Sequence, residues 1–306
     1  MESWNPLQII QALRQRKRTA KQIAAAPCRN GSCWAAARRY HRLQDGRALG
    51  AYPVIPYLDG AVLAWPPGAS SVAFQARYGL GEPFEQGFCL HALRPGDLFC
   101  DVGANAGVYT ILASKVAGAR VAAFEPVPQT YSLLMQNVWA NDVASLVDAR
   151  QCGVGSHRAD LHFTADLWSF NHVVEPGTAG SVEVPVDTLD ALLEGRVPFL
   201  IKIDVEGFEG EVVAGAERTL RDSRCAAVIM ELVTVLENYG TDRERVASQM
   251  IDLGFTPHWY DPATREFGPV GPRGPFRYNQ LFIRDMELVR DRVASAAAFE
   301  LNGRTY

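Results

Sequence analysis

The stretch DLFCDVGANAGVYTILASKVAG, residues 97–118, decides how the rest of the chain is read. It begins as an apolar strand and turns through Asp101, Gly103, Asn105 and Gly107. It continues as a helix closed by Gly118. Strand, glycine-rich turn and helix in that order form half of a parallel α/β unit. Glycine allows the tight turn and lets backbone approach a ligand closely. In an open α/β sheet such a turn lies at the carboxyl ends of the strands, where ligands bind.

The alternation continues downstream. RVAAFE (120–125) reads as a strand, PQTYSLLMQNVWAND (128–142) as a helix and LVDARQCGV (146–154) as one strand. PFLIKIDV (198–205) is a buried strand, FEGEVVAGAERTLRD (208–222) a helix and CAAVIMELV (225–233) another strand. Near-continuous apolar strands alternating with helices predict a mostly parallel, doubly wound α/β sheet over 90–285. ADLHFT (159–164) and SVEVPV (181–186) interrupt it as shorter β segments. FTPHWY and NQLFIRD read as late antiparallel strands, 241–253 as a helix, and about 286–300 as a final helix. Upstream, EPFEQGFCLHAL (82–93) reads as a helix ended by Pro95-Gly96, and Asp59-Gly60 marks a β-hairpin. Residues 5–25 and 33–44 read as two helices. The expected organisation is a helical and β-hairpin extension over 1–80 and the α/β domain over 81–306.

Composition is that of a soluble globular chain: 306 residues, 48% hydrophobic, 21% charged. A net charge of −4 gives no reason to expect nucleic acid as a partner. No apolar run is long enough for a membrane span, and the N-terminus lacks a secretory signal pattern. Six scattered cysteines fit reduced thiols in a cytoplasmic protein better than a zinc site at Cys28, Cys33 and His41. Residues 4–44 contain bases but no acid, the pattern of a solvated appendage, a docking surface for an acidic partner, a membrane-surface contact or a targeting peptide.

Two cofactors fit a glycine turn of this kind. Glu125 ends the next strand 22 residues beyond Gly103, where a carboxylate accepts hydrogen bonds from the two hydroxyls of an adenosine ribose. A dinucleotide fingerprint needs glycine at its first, third and sixth positions. Here those positions hold Gly103, Asn105 and Val108. S-adenosylmethionine has no phosphate to cradle, and its sulfonium tolerates an acid such as Asp101. The residues therefore favour S-adenosylmethionine over NAD.

The second dense stretch is FLIKIDVEGFEGEVVAGA, residues 199–216. Glu206 and Glu209 would complement a helix dipole. Asp204 ends a buried strand and is not explained that way. Lys202, inside the same strand, is expected to reach a carboxylate, because lysine is seldom buried alone.

FCDVGANAGVYT, AAFEP, VPVDTLDALL, LIKIDVEGFEGEVVAGA and VIMELV, in that order, resemble the FkbM family of class I S-adenosylmethionine-dependent methyltransferases. The resemblance covers roughly residues 80–285. It implies a Rossmann-like fold and O-methylation of a sugar or secondary metabolite. By the same resemblance, Asp101, Gly103, Asn105 and Gly107 line the methionine side, Glu125 holds the ribose, Cys152 lies near the adenine and Asp204 beside the donor methyl. Cys152 departs from the family's usual alanine.

A hydroxyl acceptor gains from a general base. Asp204 is the first candidate and His172, on the aromatic-rich connection WSFNHVVEPG, the second. Glu231 points to the same edge. The spacing of Asp204 and Glu231 does not demand a divalent metal, and none is assigned. The expected partner is a small hydroxylated molecule. The rival readings are an NAD-dependent oxidoreductase and a non-catalytic module that binds through its basic N-terminal helices.

Overall fold

The computed structural model describes residues 53–66, 69–232, 243–270, 279–301 and 304–306. The expected N-terminal helices, the basic run and Cys28, Cys33 and His41 lie outside these residues. The Asp59-Gly60 hairpin is present, with β1 (Val54–Pro56) antiparallel to β2 (Val62–Ala64). It is followed by α1 (Ser70–Tyr78) and α2 (Pro83–Ala92). The hairpin is riveted to the domain by amides: Ala64 N–H donates to Asn137 Oδ1 at 2.7 Å, and Val62 N–H to Asn141 Oδ1 at 2.8 Å. Ile55, Leu63 and Trp65 are fully buried in the same core as the strands.

The alternating region folds as expected. It runs β3 (Leu98–Val102), α3, β4 (Arg120–Phe124), α4 (Pro128–Ala140) and β5 (Val147–Arg150). The helix α3 starts as an α-helix over Val108–Ile111 and continues as a π-helical turn over Leu112–Val116. After an intervening excursion that ends in the short helix α5 (Leu189–Leu192) come β10 (Leu200–Ile203), α6 (Glu209–Ala214), α7 (Glu217–Arg221) and β11 (Ala227–Glu231). The C-terminal part adds α8 (Arg243–Asp252), β12 (Thr256–Asp261), β13 (Glu266–Pro269), β14 (Asn279–Ile283) and α9 (Met286–Ala294). The chain ends in the short pair β15 (Glu300–Leu301) and β16 (Arg304–Thr305).

The main sheet has the order β13-β12-β14-β11-β10-β3-β4-β5. Strands β11, β10, β3, β4 and β5 are parallel, and β14, β12 and β13 add antiparallel pairs at one edge. Each face carries its own core. Phe99 and Leu200 belong to one core, and Cys100, Val102, Ile201 and Ile203 to the other. The two-residue pleat puts Asp101 and Lys202 on the Phe99 and Leu200 side. The register sets these two residues directly beside each other.

Five segments differ from the sequence reading. LVDARQCGV divides: β5 stays in the main sheet, while β6 (Gly153–Val154) joins β7 (Ala159–Thr164), β8 (Val173–Val174) and β9 (Ser181–Asp187) in a second sheet ordered β6-β9-β7-β8. A side chain at Gly153 would press on Val186 and Phe163, so the crossing between sheets needs glycine. The helix expected over 208–222 breaks at Gly215, where a Cβ would overlap the Gly155 carbonyl. The final helix stops at Ala294, and Glu300–Leu301 form a short strand. Helix α1 and strand β13 were not anticipated. Among the described residues no helix is long and apolar enough to cross a membrane.

Candidate functional site

A cavity of about 300 Å³ opens at the carboxyl ends of β3, β4, β10 and β11. Its volume lies at the lower end of the range for small-molecule sites. The first wall is the Asp101–Gly107 turn. Gly103, Asn105 and Gly107 all have left-handed backbone, with φ of 79°, 51° and 81°. At Gly103 a Cβ would overlap the carbonyl of Asp204, so the turn passes directly against the end of β10. At Gly107 a Cβ would strike Leu134 on α4.

Glu125 braces this turn from the next strand. Its Oε2 accepts Asn105 N–H at 2.8 Å, and its Oε1 accepts Val127 N–H at 3.0 Å and the Thr130 hydroxyl at 2.6 Å. Burial pushes the Glu125 carboxyl up, against the pull of those three bonds. Asn105 Oδ1 accepts Ala106 N–H at 2.7 Å and the Ser71 hydroxyl at 3.1 Å, which ties α1 to the turn. Asp101 is fully buried. Its Oδ2 accepts the Thr110 hydroxyl at 2.6 Å, while its Oδ1 has no hydrogen-bond partner. Burial raises its pKa, and Lys202 opposes the rise.

The second wall is charged. Lys202 is buried as expected only with a carboxylate at hand: its Nζ reaches Asp204 Oδ2 at 2.7 Å. It also lies 4.9 Å from the centre of the Tyr109 ring, a cation–π contact. The Tyr109 hydroxyl donates to Glu82 at 2.6 Å. Asp204, Glu206 and Glu231 each present a carboxylate oxygen within 4.8 Å of the others. This is the grouping that could hold a cation among the described residues. Burial favours the neutral form of Asp204, but the charge and hydrogen bond of Lys202 hold its pKa low. Burial, and then the charge of Asp204 and the hydrogen bond to it, push Glu231 far up, so Glu231 carries the proton of that pair. Burial followed by the charges of Asp204 and Glu209 raises Glu206 to about 8. Glu206 also adopts left-handed backbone, with φ of 53°, an uncommon state for a long side chain. Glu209 is buried and accepts Val205 N–H and Gly207 N–H, both at 3.2 Å, fixing the turn that carries the acids.

A strap covers the mouth. Trp168–Phe170 forms one 3₁₀ turn, and Ser169 Oγ accepts the Ser70 hydroxyl at 2.8 Å and Ser71 N–H at 3.2 Å. Trp168, Phe170 and Asn171 line the cavity.

The expected site residues mostly converge here. Asp101, Gly103, Asn105, Glu125, Cys152, Asp204 and Glu231 all line the cavity. Burial raises the Cys152 thiol to about 11, so it presents a neutral surface. Two do not converge. Gly107 is not a lining residue; it caps α3 and makes room for Leu134. His172 is also outside: its Nδ1 lies 2.9 Å from the Phe170 carbonyl, and its main chain is tied to Thr164. Asn171 is extended, with φ of −64° and ψ of 131°, so it lines the cavity and the side chain after it does not. Glu206, Tyr109, Gln86 and Asn171 were not foreseen as site residues. For Glu206 the signal was its place beside Asp204 ahead of a glycine.

A family model described as the methyltransferase FkbM domain matches residues 101–256. The hexuronic acid methyltransferase AglP of Haloferax volcanii is 33% identical over 128 residues, which cover 41% of this chain and 52% of that protein. The 31-O-demethyl-FK506 methyltransferase FkbM of Streptomyces tacrolimicus is 32% identical over 161 residues, covering 41% of this chain and 61% of the relative. The match therefore spans about half the length of the first of these relatives and under two thirds of the second. A solved methyltransferase from Pyrococcus furiosus superposes with a TM-score of 0.40 at 13% identity, covering 82% of this chain and 100% of that one.

Proposed function

The chain belongs to the FkbM methyltransferase family, and from that premise we propose that it transfers a methyl group from S-adenosylmethionine to a hydroxyl of a sugar or secondary metabolite. The observation that carries this reading is the charge of the cavity. Among the described lining residues, the acids Glu82, Asp101, Glu125, Asp204, Glu206 and Glu231, of which Asp204 is held ionised and Glu206 and Glu231 are pushed up by burial, face a single cation, Lys202. Such a wall suits a ligand bearing a sulfonium and an ammonium, and opposes the pyrophosphate of a dinucleotide. The buried, unpartnered Asp101 Oδ1 offers the place for an ammonium group. Glu125 Oε2 has one donor and keeps a lone pair for a ribose hydroxyl. Cys152, small and uncharged, fits the adenine end.

Bound there, S-adenosylmethionine supplies a methyl carbon on a sulfonium, already a good leaving group. The protein's own part is alignment and proton handling. Lys202 keeps Asp204 ionised, so Asp204 is the group that takes the proton of the acceptor hydroxyl. The protonated Glu231 hydrogen-bonds Asp204 and fixes its orientation. Glu206 adds a third carboxyl at the same edge.

Calorimetry tests the donor. S-adenosylhomocysteine should bind saturably and NAD should not. Binding of NAD without S-adenosylhomocysteine would sink the proposal.

A further inference from the structure

We propose that the acceptor is an electrically neutral hydroxylated ring, of the neutral-glycoside class, and that the site turns away sugars carrying a carboxylate. This rests on the methyltransferase reading above. It separates this chain from the relative named for hexuronic acid.

The first support is electrostatic. A carboxylate on the acceptor would enter a cavity lined by six acidic side chains, with Asp204 held ionised and Glu206 and Glu231 taking up protons rather than offering positive charge. The one lining cation among the described residues is already held by Asp204 at 2.7 Å. Arg77, on α1, lies 6.0 Å from the centre of the Phe74 ring and is not a lining residue. Like charges brought together at a binding site suppress the wrong ligand.

The second support is the mouth. Phe74, Trp168 and Phe170 line it, and Phe74 and Phe170 are 47% and 62% exposed. Large aromatic rings left in water at a cavity rim mark a binding surface. A pyranose ring offers them its C–H face.

The third support is an unused donor. Asn171 Oδ1 accepts Leu167 N–H at 3.0 Å and the Thr164 hydroxyl at 3.3 Å, which fixes the amide's orientation. Its Nδ2 is buried without a partner, in a residue that lines the cavity beside these rings. Deeper in, Gln86 is fully buried, its Oε1 accepts Glu82 N–H at 3.3 Å, and its Nε2 is also unpartnered. Buried donors of this kind are satisfied by a ligand oxygen. Amide donors, aromatic rims and no cation left available among the described lining residues together describe recognition of neutral hydroxyls.

The test titrates the S-adenosylhomocysteine-saturated protein with phenyl β-glucoside and phenyl β-glucuronide, which differ by one carboxylate. The glucoside should bind at least about tenfold more tightly. Asn171→Ala and Phe170→Ala should each weaken glucoside binding by about tenfold, with S-adenosylhomocysteine affinity within about twofold of the parent. Equal or tighter binding of the glucuronide overturns the inference. So does binding of neither glycoside to protein that takes up S-adenosylhomocysteine, or an equal loss of S-adenosylhomocysteine affinity in the two variants. Failure of S-adenosylhomocysteine itself to bind overturns the methyl-donor reading instead, and this inference with it.

Discussion

The two turns that close the cavity sit at the ends of neighbouring parallel strands, yet they are built on different principles. The turn after β3 is made of backbone. Its left-handed residues are Gly103, Asn105 and Gly107, and its Asn105 amide is held by Glu125. The turn after β10 is made of charge. It sets carboxylate oxygens of Asp204 and Glu206 within 4.8 Å of each other and of Glu231, which ends β11, beside Lys202. The first turn creates a shape that a ligand fills. The second creates a crowded set of acids whose protonation is unsettled near neutral pH. Damage to the first should therefore abolish binding, and damage to the second should alter chemistry and pH behaviour.

Gly103→Ala should have the largest effect. A methyl group there meets the Asp204 carbonyl, and the left-handed φ of 79° adds strain. We expect a loss of about 3 kcal/mol of stability and no measurable S-adenosylhomocysteine binding. Denaturant unfolding and calorimetry would check this; wild-type affinity would show that the two turns do not press together. Asp204→Asn comes next. It keeps the shape and removes the base, so turnover should fall about a hundredfold or more with S-adenosylhomocysteine affinity within a few-fold of the parent. Full activity in that variant would remove Asp204 from the mechanism.

The third test concerns pH and stability. Burial raises Glu206 to about 8 and Glu209 to about 7, against an ordinary value of 4.5. Between about pH 4.5 and 8 the folded protein holds protons that the unfolded chain has released. Stability therefore falls as pH rises through that window. Glu206→Gln removes part of this pH dependence. It should stabilise the protein at pH 8 by about 2 kcal/mol, and by far less at pH 5. Melting at the two pH values decides it. An equal gain at both would mean that Glu206 is ionised in the fold.

The backbone turn was readable in the sequence and the charged one only in part, for physical reasons. Parallel strands buried on both faces are continuous apolar runs, so β3, β4, β10 and β11 are visible one by one. Lys202 and Asp204 two positions apart in such a run announce a buried pair. What a linear pattern does not carry is the convergence of distant elements. Helix α1 has only Val72, Gln75 and Ala76 buried and no side-chain cap, so its helical period is weak, yet it supplies Ser71 to the Asn105 turn. The strap and Asn171 reach the cavity through Ser169 and the second sheet, whose formation depends on a crossing at Gly153. Glu206 matches a helix-dipole acid by position, and only its left-handed backbone turns it toward Asp204. Gly107 looked like part of the ligand loop because its neighbours are; its constraint is instead the packing of Leu134.

His172 gives the smallest expected effect and the sharpest check on how far a residue type can mislead. A histidine on an aromatic-rich connection is a reasonable base from sequence, since its ordinary titration lies near neutrality. In the fold its Nδ1 lies 2.9 Å from the Phe170 carbonyl, and its backbone N–H donates to Thr164 Oγ1 at 3.0 Å. Both contacts serve the strap, and neither brings the ring to Asp204. His172→Ala should therefore leave turnover within about threefold of the parent and the pH profile unchanged, because general-base loss costs about a hundredfold or more. A fall of that size, with the acid limb of the profile shifted, would mean that the strap rearranges in the productive complex and that the charged turn is not the only source of a base.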